Sequence, residues 1–171
     1  KSFSEFKKTS NLSELVYKTA PDFNDHRVMT REVVLFDMSQ PFDIDPPVAN
    51  DSEEVYVELM EIADHMELTL FEHKQQAEEY DTTTFSSAFI NYCTENGLPI
   101  NESKIVKMTK EMGIIDRQVK YQFNRPRPAQ IAEARTVKFP EVRTNTGHTP
   151  SYPSGHALAS RVFSLYLGNI F

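Results

Sequence analysis

Two short segments in the C-terminal third of the chain hold residue types that bind small anions. Residues 120–128 read KYQFNRPRP, and residues 149–163 read TPSYPSGHALASRVF. The guanidinium of Arg127 offers a planar fork of donors to two phosphate oxygens, whereas the ammonium of Lys120 is a mobile point charge. Pro128 favours an extended backbone at Arg127, which limits where that side chain can point. The two cations could therefore converge on one tetrahedral oxyanion.

The second segment adds backbone donors and an acid–base group. Ser154 and Gly155 follow a proline at the predicted start of the last helix, where free N–H groups and the macrodipole favour an anion. Gly155 lets the main chain approach a ligand closely because it has no side chain. His156, in the first turn, is near enough to give a proton to a departing alkoxide.

Charge is spread unevenly along the chain, which carries a formal net charge of -7. Residues 117–143 contain seven basic and two acidic side chains, a local charge of +5, so the remainder carries -12. An acidic protein repels nucleic acid, so we interpret the basic segment as a local pocket for a small anion. The alternative from charge alone is a solvated basic helix face.

The composition predicts one soluble globular domain. The chain has 171 residues, of which 39% are hydrophobic, enough to form a buried core. No apolar run approaches the roughly 18 residues of a membrane helix, and the first residues, KSFSEFKKTSNLSELV, lack the apolar centre of an intact signal peptide. Cys93 is the only cysteine, which excludes an internal disulfide, a cysteine zinc cluster and a redox pair.

Apolar residues at helical spacing predict the elements that position these segments. Asp51, with Glu54 three residues later, is a capping-box start for a long helix over residues 51–79. Further helices are predicted from Thr84 to Gly97, from Asn101 to Gly113, over residues 115–123 and 129–135, and from Ser154 onward.

The long helix should carry an apolar stripe of Val55, Leu59, Ile62, Met66 and Leu70, and two later helices also have a predicted apolar face. The helix from Asn101 should turn Ile105, Met108 and Met112 inward. The last helix should carry a broad apolar surface of Leu158, Val162, Leu165, Tyr166 and Phe171. Residues 1–50 are predicted to form an irregular segment packed on the domain of residues 51–171. Within it we expect a short helix that Ser10 or Asn11 caps and that ends at Lys18, and a brief strand or buried extended stretch over residues 33–36.

Charged residues on the long predicted helix raise the question of a metal site: Asp64, His65, Glu67, Glu72 and His73. Asp64 and His65 are adjacent, so they point about 100° apart on a helix. His65 and His73 lie two turns apart, too far to bind one ion without other ligands. We interpret the group as an ordinary charged helix face and predict no metal.

The two anion-binding segments resemble signatures of the type 2 phosphatidic acid phosphatase superfamily. Lys120, six residues and then Arg-Pro at residues 127–128 match its first signature, and Pro-Ser-Gly-His at residues 153–156 matches its second. The superfamily includes bacterial class A acid phosphatases, membrane lipid phosphatases and vanadium haloperoxidases. The resemblance covers residues 46–171 and is closest to the soluble class A enzymes, some of which are periplasmic or secreted. It implies an all-α helical bundle, here apparently truncated at its C-terminus.

The resemblance also implies a reaction, phosphomonoester hydrolysis through a phosphohistidine. A histidine attacks phosphorus, His156 protonates the leaving alcohol as general acid, and water then releases phosphate without a metal. The phosphate oxygens would be bound by Lys120, Arg127 and the amides around Ser154 and Gly155.

The third signature of the superfamily is Ser-Arg, five residues, His, three residues and Asp, and it supplies the nucleophile. Ser160 and Arg161 follow His156 too closely, and Leu167 and Phe171 stand where the signature needs His and Asp. We therefore expect the nucleophile beyond the given chain, whose apolar last residues also favour a truncated domain.

Three other assignments stay open. A vanadium haloperoxidase would hold vanadate in the same cradle, with the missing histidine bound to vanadium. A catalytically degenerate relative would bind phosphate or serve as a structural or assembly module. Arg125 is a further candidate for a phosphate arginine, and His148 is interpreted as an ordinary loop histidine.

Overall fold

The computed structural model of the chain describes residues 11–17, 20–39, 42–69, 71–82, 85–140 and 145–169. These residues form helices joined by loops and contain no strand, which confirms the predicted all-α class. In chain order the helices are α1 (Phe23–Met29), α2 (Glu53–Leu68), α3 (Phe71–Thr82), α4 (Phe85–Glu95), α5 (Glu102–Phe123), α6 (Pro128–Ala134) and α7 (Gly155–Gly168). The described residues also form two 3-10 helices: Leu12–Glu14 precedes α1, and Asn145–His148 lies between α6 and α7. No helix in this described part combines the length and apolar composition that crossing a bilayer requires.

The helix α5 lies at the centre of the fold, because α1, α4 and α7 all pack against it. Asn101 caps its N-terminus, as predicted, by accepting a hydrogen bond from the Lys104 amide at 3.0 Å. Phe89 of α4 stacks on Phe163 of α7 with ring centroids 4.6 Å apart. The core around them contains the three predicted inward residues of α5: Ile105, Met108 and Met112.

A second apolar cluster joins α2 to α6 and so fixes the segment that follows Arg127. It comprises Val55 and Leu59 from α2 and Ile131 and Ala132 from α6. At the C-terminal end of α6, Arg135 donates hydrogen bonds to the carbonyls of Asn50 and Ser52 at 2.9 and 2.8 Å. Both apolar burial and these bonds therefore hold α6 in place.

The prediction of one helix over residues 51–79 is wrong, because the chain interrupts it at Thr69. Ser52, not Asp51, caps α2, and its hydroxyl accepts a hydrogen bond from the amide three residues later. Thr69 has an extended backbone with ψ of 128°, and its amide and hydroxyl both donate to the His65 carbonyl. Thr69 is therefore the C-cap of α2, where its branched side chain keeps rotamer freedom that it would lose inside a helix.

Two predicted helices, from Asn101 to Gly113 and over residues 115–123, are one helix in the structure. A glycine inside a helix costs about 1 kcal/mol relative to alanine, so Gly113 resembled an end. The side chains on both sides of it are buried, however, and Arg117 donates to the Gly113 carbonyl at 3.1 Å. The helix ends instead at Asn124, whose backbone is left-handed with φ of 51°.

The N-terminal segment, predicted to be irregular, contains the helix α1. Asp22 caps α1 by accepting a hydrogen bond from the Asp25 amide at 2.8 Å. The Asp25 carboxylate accepts hydrogen bonds from Arg117 Nε at 3.1 Å and from the Tyr121 hydroxyl at 2.7 Å. These bonds tie α1 to α5.

The other N-terminal predictions are only partly met. Residues 33–36 form no strand, and the amides of Val34 and Leu35 donate instead to the buried carboxylate of Glu111 at 2.9 and 2.6 Å. The helix predicted over residues 11–18 is a single 3-10 turn, Leu12–Glu14, within its described part. The predicted boundaries at Lys18 and Thr84, and the predicted contact of Phe171, lie outside the described residues.

The end of α4 and the start of α7 agree with the prediction better than the predicted apolar face of α7 does. Gly97 follows α4 with φ of 65°, as expected for a glycine after a helix. The buried residues of α7 are Ala159 and Phe163, whereas the predicted Leu165 is 51% exposed. The helix is turned so that its small residue, Ala159, allows a close approach to α5.

Candidate oxyanion-binding site

Lys120 is a buried lysine in the last turn of α5. Its Nζ donates hydrogen bonds to the Pro153 carbonyl at 2.6 Å and to the Pro150 carbonyl at 3.1 Å. Nζ also lies 3.7 Å from Oδ1 of Asp116, one helical turn earlier. Because Lys120 is only 5% exposed, its charge is held inside the protein beside the loop of residues 149–154.

Arg127 reaches the same loop from the start of α6. Its backbone is extended, with φ of -73° and ψ of 152°, as the following Pro128 predicts. Nε donates to the Thr149 carbonyl at 2.8 Å, and Nη2 donates to the Thr149 hydroxyl at 3.4 Å. The two cations that the sequence assigns to one anion therefore both bind the loop that leads into α7.

Ser151 joins this loop to the first signature segment. Its hydroxyl donates to the Pro126 carbonyl at 2.7 Å, and its amide donates to the Arg125 carbonyl at 3.0 Å. The two segments are thus bonded directly to each other, and α5, α6 and α7 meet at this point.

Ser154, Gly155 and His156 lie where α7 begins. Ser154 caps α7, as predicted, by accepting a hydrogen bond from the Ala157 amide at 3.3 Å. A Cβ added to Gly155 would lie 3.0 Å from Oδ2 of Asp116 and 3.1 Å from its Oδ1 and Cγ. Glycine at this position therefore admits a carboxylate of α5, whereas the sequence suggested that it admits a ligand. His156 is exposed in the first turn.

Burial shifts the pKa of each charged side chain in this site toward its neutral form. It lowers the pKa of Lys120, although the Asp116 carboxylate opposes the shift. It raises the pKa of Asp116, although Lys120 and Arg117 oppose that shift. It also lowers the pKa of Arg127. Desolvated charges of this kind act on one another, and on a ligand, more strongly than charges in water.

Sequence reasoning did not single out three residues of the site: Asp116, Tyr17 and Thr149. Asp116 precedes Lys120 by four residues, a spacing that places both on one helix face, so this pair was open to prediction. Tyr17 is buried, its hydroxyl donates to the Gly147 carbonyl at 2.9 Å, and its amide donates to the Asn124 carbonyl at 2.9 Å. No local pattern signals such a contact between distant parts of the chain.

The other side chains that the sequence suggested are Arg125, His148 and the charged group around His65 and His73. Arg125 forms an ion pair with Glu58 of α2 at 3.5 Å, so its guanidinium is directed to that helix. His148 is exposed at the end of its 3-10 helix. The break between α2 and α3 separates His65 from His73. Among the residues that the structure describes, no three His, Cys, Asp or Glu side chains are grouped as a metal site requires.

A cavity of about 400 Å³ opens farther along α7. It is lined by Phe89, Ser160, Phe163, Ser164 and Leu167. None of these side chains carries a charge, and none belongs to the predicted site. The convergence of charged groups on residues 149–154, rather than this cavity, marks the candidate site.

Comparison of the chain with models of protein families, with curated proteins and with solved structures gave no match. The resemblance of the two segments to the phosphatase signatures therefore rests on their residues and spacing alone.

Proposed function

We propose that the chain binds a phosphate ester between Lys120, Arg127 and the first turn of α7. In this proposal it contributes these groups to a phosphomonoester hydrolase that resembles the soluble acid phosphatases. The observation that supports it is the bonding of the buried Lys120 and the partly buried Arg127 to the loop of residues 149–154, directly before α7. Two desolvated cations beside a helix N-terminus favour an anion more than either cation does alone.

The chemistry of phosphoryl transfer suits groups that are fixed before the substrate arrives. Negative charge develops on the phosphate oxygens in the transition state, and preorganised donors in a water-poor site stabilise it without reorganising. Lys120 and Arg127 are fixed by their bonds to loop carbonyls. His156 would donate a proton to the leaving alcohol. The attacking histidine of this mechanism is not assigned to any residue of the chain.

The haloperoxidase alternative would use the same donors. Vanadate shares the tetrahedral shape and negative charge of phosphate, so Lys120 and Arg127 would hold it, and it would supply the activation of peroxide. Halide oxidation with vanadate and peroxide, measured beside hydrolysis of an aryl phosphate, separates the two activities. Phosphate binding with neither activity would indicate the degenerate, phosphate-binding alternative.

Binding of inorganic phosphate to the Arg127→Ala variant tests the site. We expect a loss of about 2 kcal/mol, roughly thirtyfold in affinity, because a charge-assisted bond in a secluded site is removed. Isothermal titration calorimetry measures the affinity, and circular dichroism shows whether the helices are retained.

Arg125→Ala is the matched control, since Arg125 lies two residues away but pairs with Glu58 on α2. We expect it to change phosphate affinity less than about twofold, as for a partly exposed ion pair. Equal losses in the two variants, or no phosphate binding by the unaltered chain, would refute the proposed function.

A further inference from the structure

We propose that Asp116 is a positioning residue whose carboxylate competes with the bound anion for Lys120, so that the site takes up a proton when it binds an anion. This inference rests on the proposed function and adds to it a coupling between anion affinity and pH. It concerns a residue of α5 that neither signature contains.

The first observation is the position of the carboxylate. It lies beneath the first residue of α7, within 3.0–3.1 Å of the place where a Cβ of Gly155 would be. Its Oδ1 is buried and makes no hydrogen bond. Asp116 therefore places a negative charge against the helix start that is proposed to hold an oxyanion, and like charges in such proximity favour protonation of one of them.

The second observation concerns the acceptors that the three N–H groups of the Lys120 ammonium bind. An ammonium has three N–H groups, and two of those of Lys120 donate to the carbonyls of Pro150 and Pro153. The third is left for Asp116, whose Oδ1 lies 3.7 Å from Nζ, beyond hydrogen-bond distance. An anion that takes this third donor weakens the largest of the attractions that keep the buried carboxylate charged.

A proton taken up by Asp116 would compensate for the negative charge that the anion brings into the site. Burial already raises the pKa of Asp116 in the absence of an anion. A second negative charge would raise it further, so the anion-bound protein holds a proton that the free protein has released. The charged groups that act on Asp116 are Lys120 and Arg117 on α5 and Arg127 at the start of α6, with Asp25 of α1 bound to Arg117.

Sulfate is the probe that isolates this effect, because it stays a dianion over the accessible pH range while phosphate itself titrates. Calorimetry in two buffers of different ionisation enthalpy gives the number of protons taken up on binding. For one coupled proton, sulfate affinity should fall by about tenfold for each pH unit between the pKa of Asp116 in the free protein and its higher pKa in the sulfate-bound protein. This measurement uses the unaltered chain and needs no variant.

Two variants test whether Asp116 is the residue that takes up the proton. Asp116→Asn keeps the shape of the side chain and should flatten the pH dependence and tighten sulfate binding at pH 8 by about tenfold. His156→Gln changes the side chain that follows Gly155 in α7 and should keep the pH dependence. Melting temperatures confirm that both variants are folded, and Asp116→Ser replaces Asp116→Asn if the latter does not fold.

The outcomes separate this inference from the proposed function. Absence of sulfate and phosphate binding by the unaltered chain overturns the proposed function itself. Binding without proton uptake, or a pH dependence that disappears in His156→Gln and persists in Asp116→Asn, overturns only the role of Asp116.

Discussion

Replacing Gly155 by alanine tests how closely α7 is held against α5. The added methyl group would lie 3.0–3.1 Å from three atoms of the Asp116 carboxylate, closer than the ~3.5 Å of an unstrained contact. The carboxylate has little room to withdraw, because its Oδ1 is buried beside Lys120. Overpacking of this kind destabilises by about 1–3 kcal/mol, whereas the helix propensity of alanine offsets at most about 1 kcal/mol. We expect a net loss of about 1–2 kcal/mol in the free energy of unfolding.

Urea unfolding followed by circular dichroism measures this loss. Gly168→Ala, at the other end of α7, is the matched control, because a Cβ there meets no atom within 4 Å. We expect this control to leave the free energy of unfolding unchanged or to raise it by up to about 1 kcal/mol. The two substitutions differ only in what the new methyl group touches.

A double substitution identifies the contact itself. In an Asp116→Ala background the carboxylate is gone, so Gly155→Ala should add less than about 0.5 kcal/mol of destabilisation. If Gly155→Ala and Gly168→Ala have the same effect, or if the loss at Gly155 is as large without the carboxylate as with it, the close contact is not what requires glycine.

Two further substitutions test the cation and the acid. Lys120→Met should destabilise the fold by about 3–5 kcal/mol, because a buried carboxylate and two loop carbonyls lose their partner. Urea unfolding checks this value against Lys110→Met, an exposed lysine of the same helix, and a difference below about 1 kcal/mol would contradict it. His156→Ala should slow the hydrolysis of alkyl phosphates by about 10²–10⁴-fold and of activated aryl phosphates much less. Steady-state rates of the full-length protein on both substrate classes check this prediction. Equal slowing of both classes would argue against a general acid.

The parts of the fold that sequence predicts are those whose signals are local. Asn101 caps α5 and Ser154 caps α7 because each side-chain oxygen accepts a bond from a backbone amide three residues later. Gly97 marks the end of α4 because glycine, which has no Cβ, adopts the required positive φ without strain. The extended backbone of Arg127 follows from the proline beside it.

The parts of the fold that sequence reasoning misses depend on competing interactions or on contacts between residues far apart in the chain. Thr69 interrupts a periodic apolar pattern by adopting an extended backbone, which periodicity does not reveal. Gly113 remains within α5 because tertiary packing outweighs a propensity of about 1 kcal/mol. The helix α1 is tied to α5 by the bond between Asp25 and Arg117, which lie far apart along the chain. Asp116 was within reach of sequence reasoning, because its spacing from Lys120 is one helical turn.

Tyr17 links the end of α5 to the residues just before the loop that both cations bind. It does so from the N-terminal side of the first long predicted helix, although it matches neither signature. A shortened protein that starts at residue 51 would keep every residue assigned to the anion and still lose this link. The segments that look self-sufficient in the sequence therefore depend on a distant tyrosine for their alignment, and expression boundaries for this protein should be chosen to retain it.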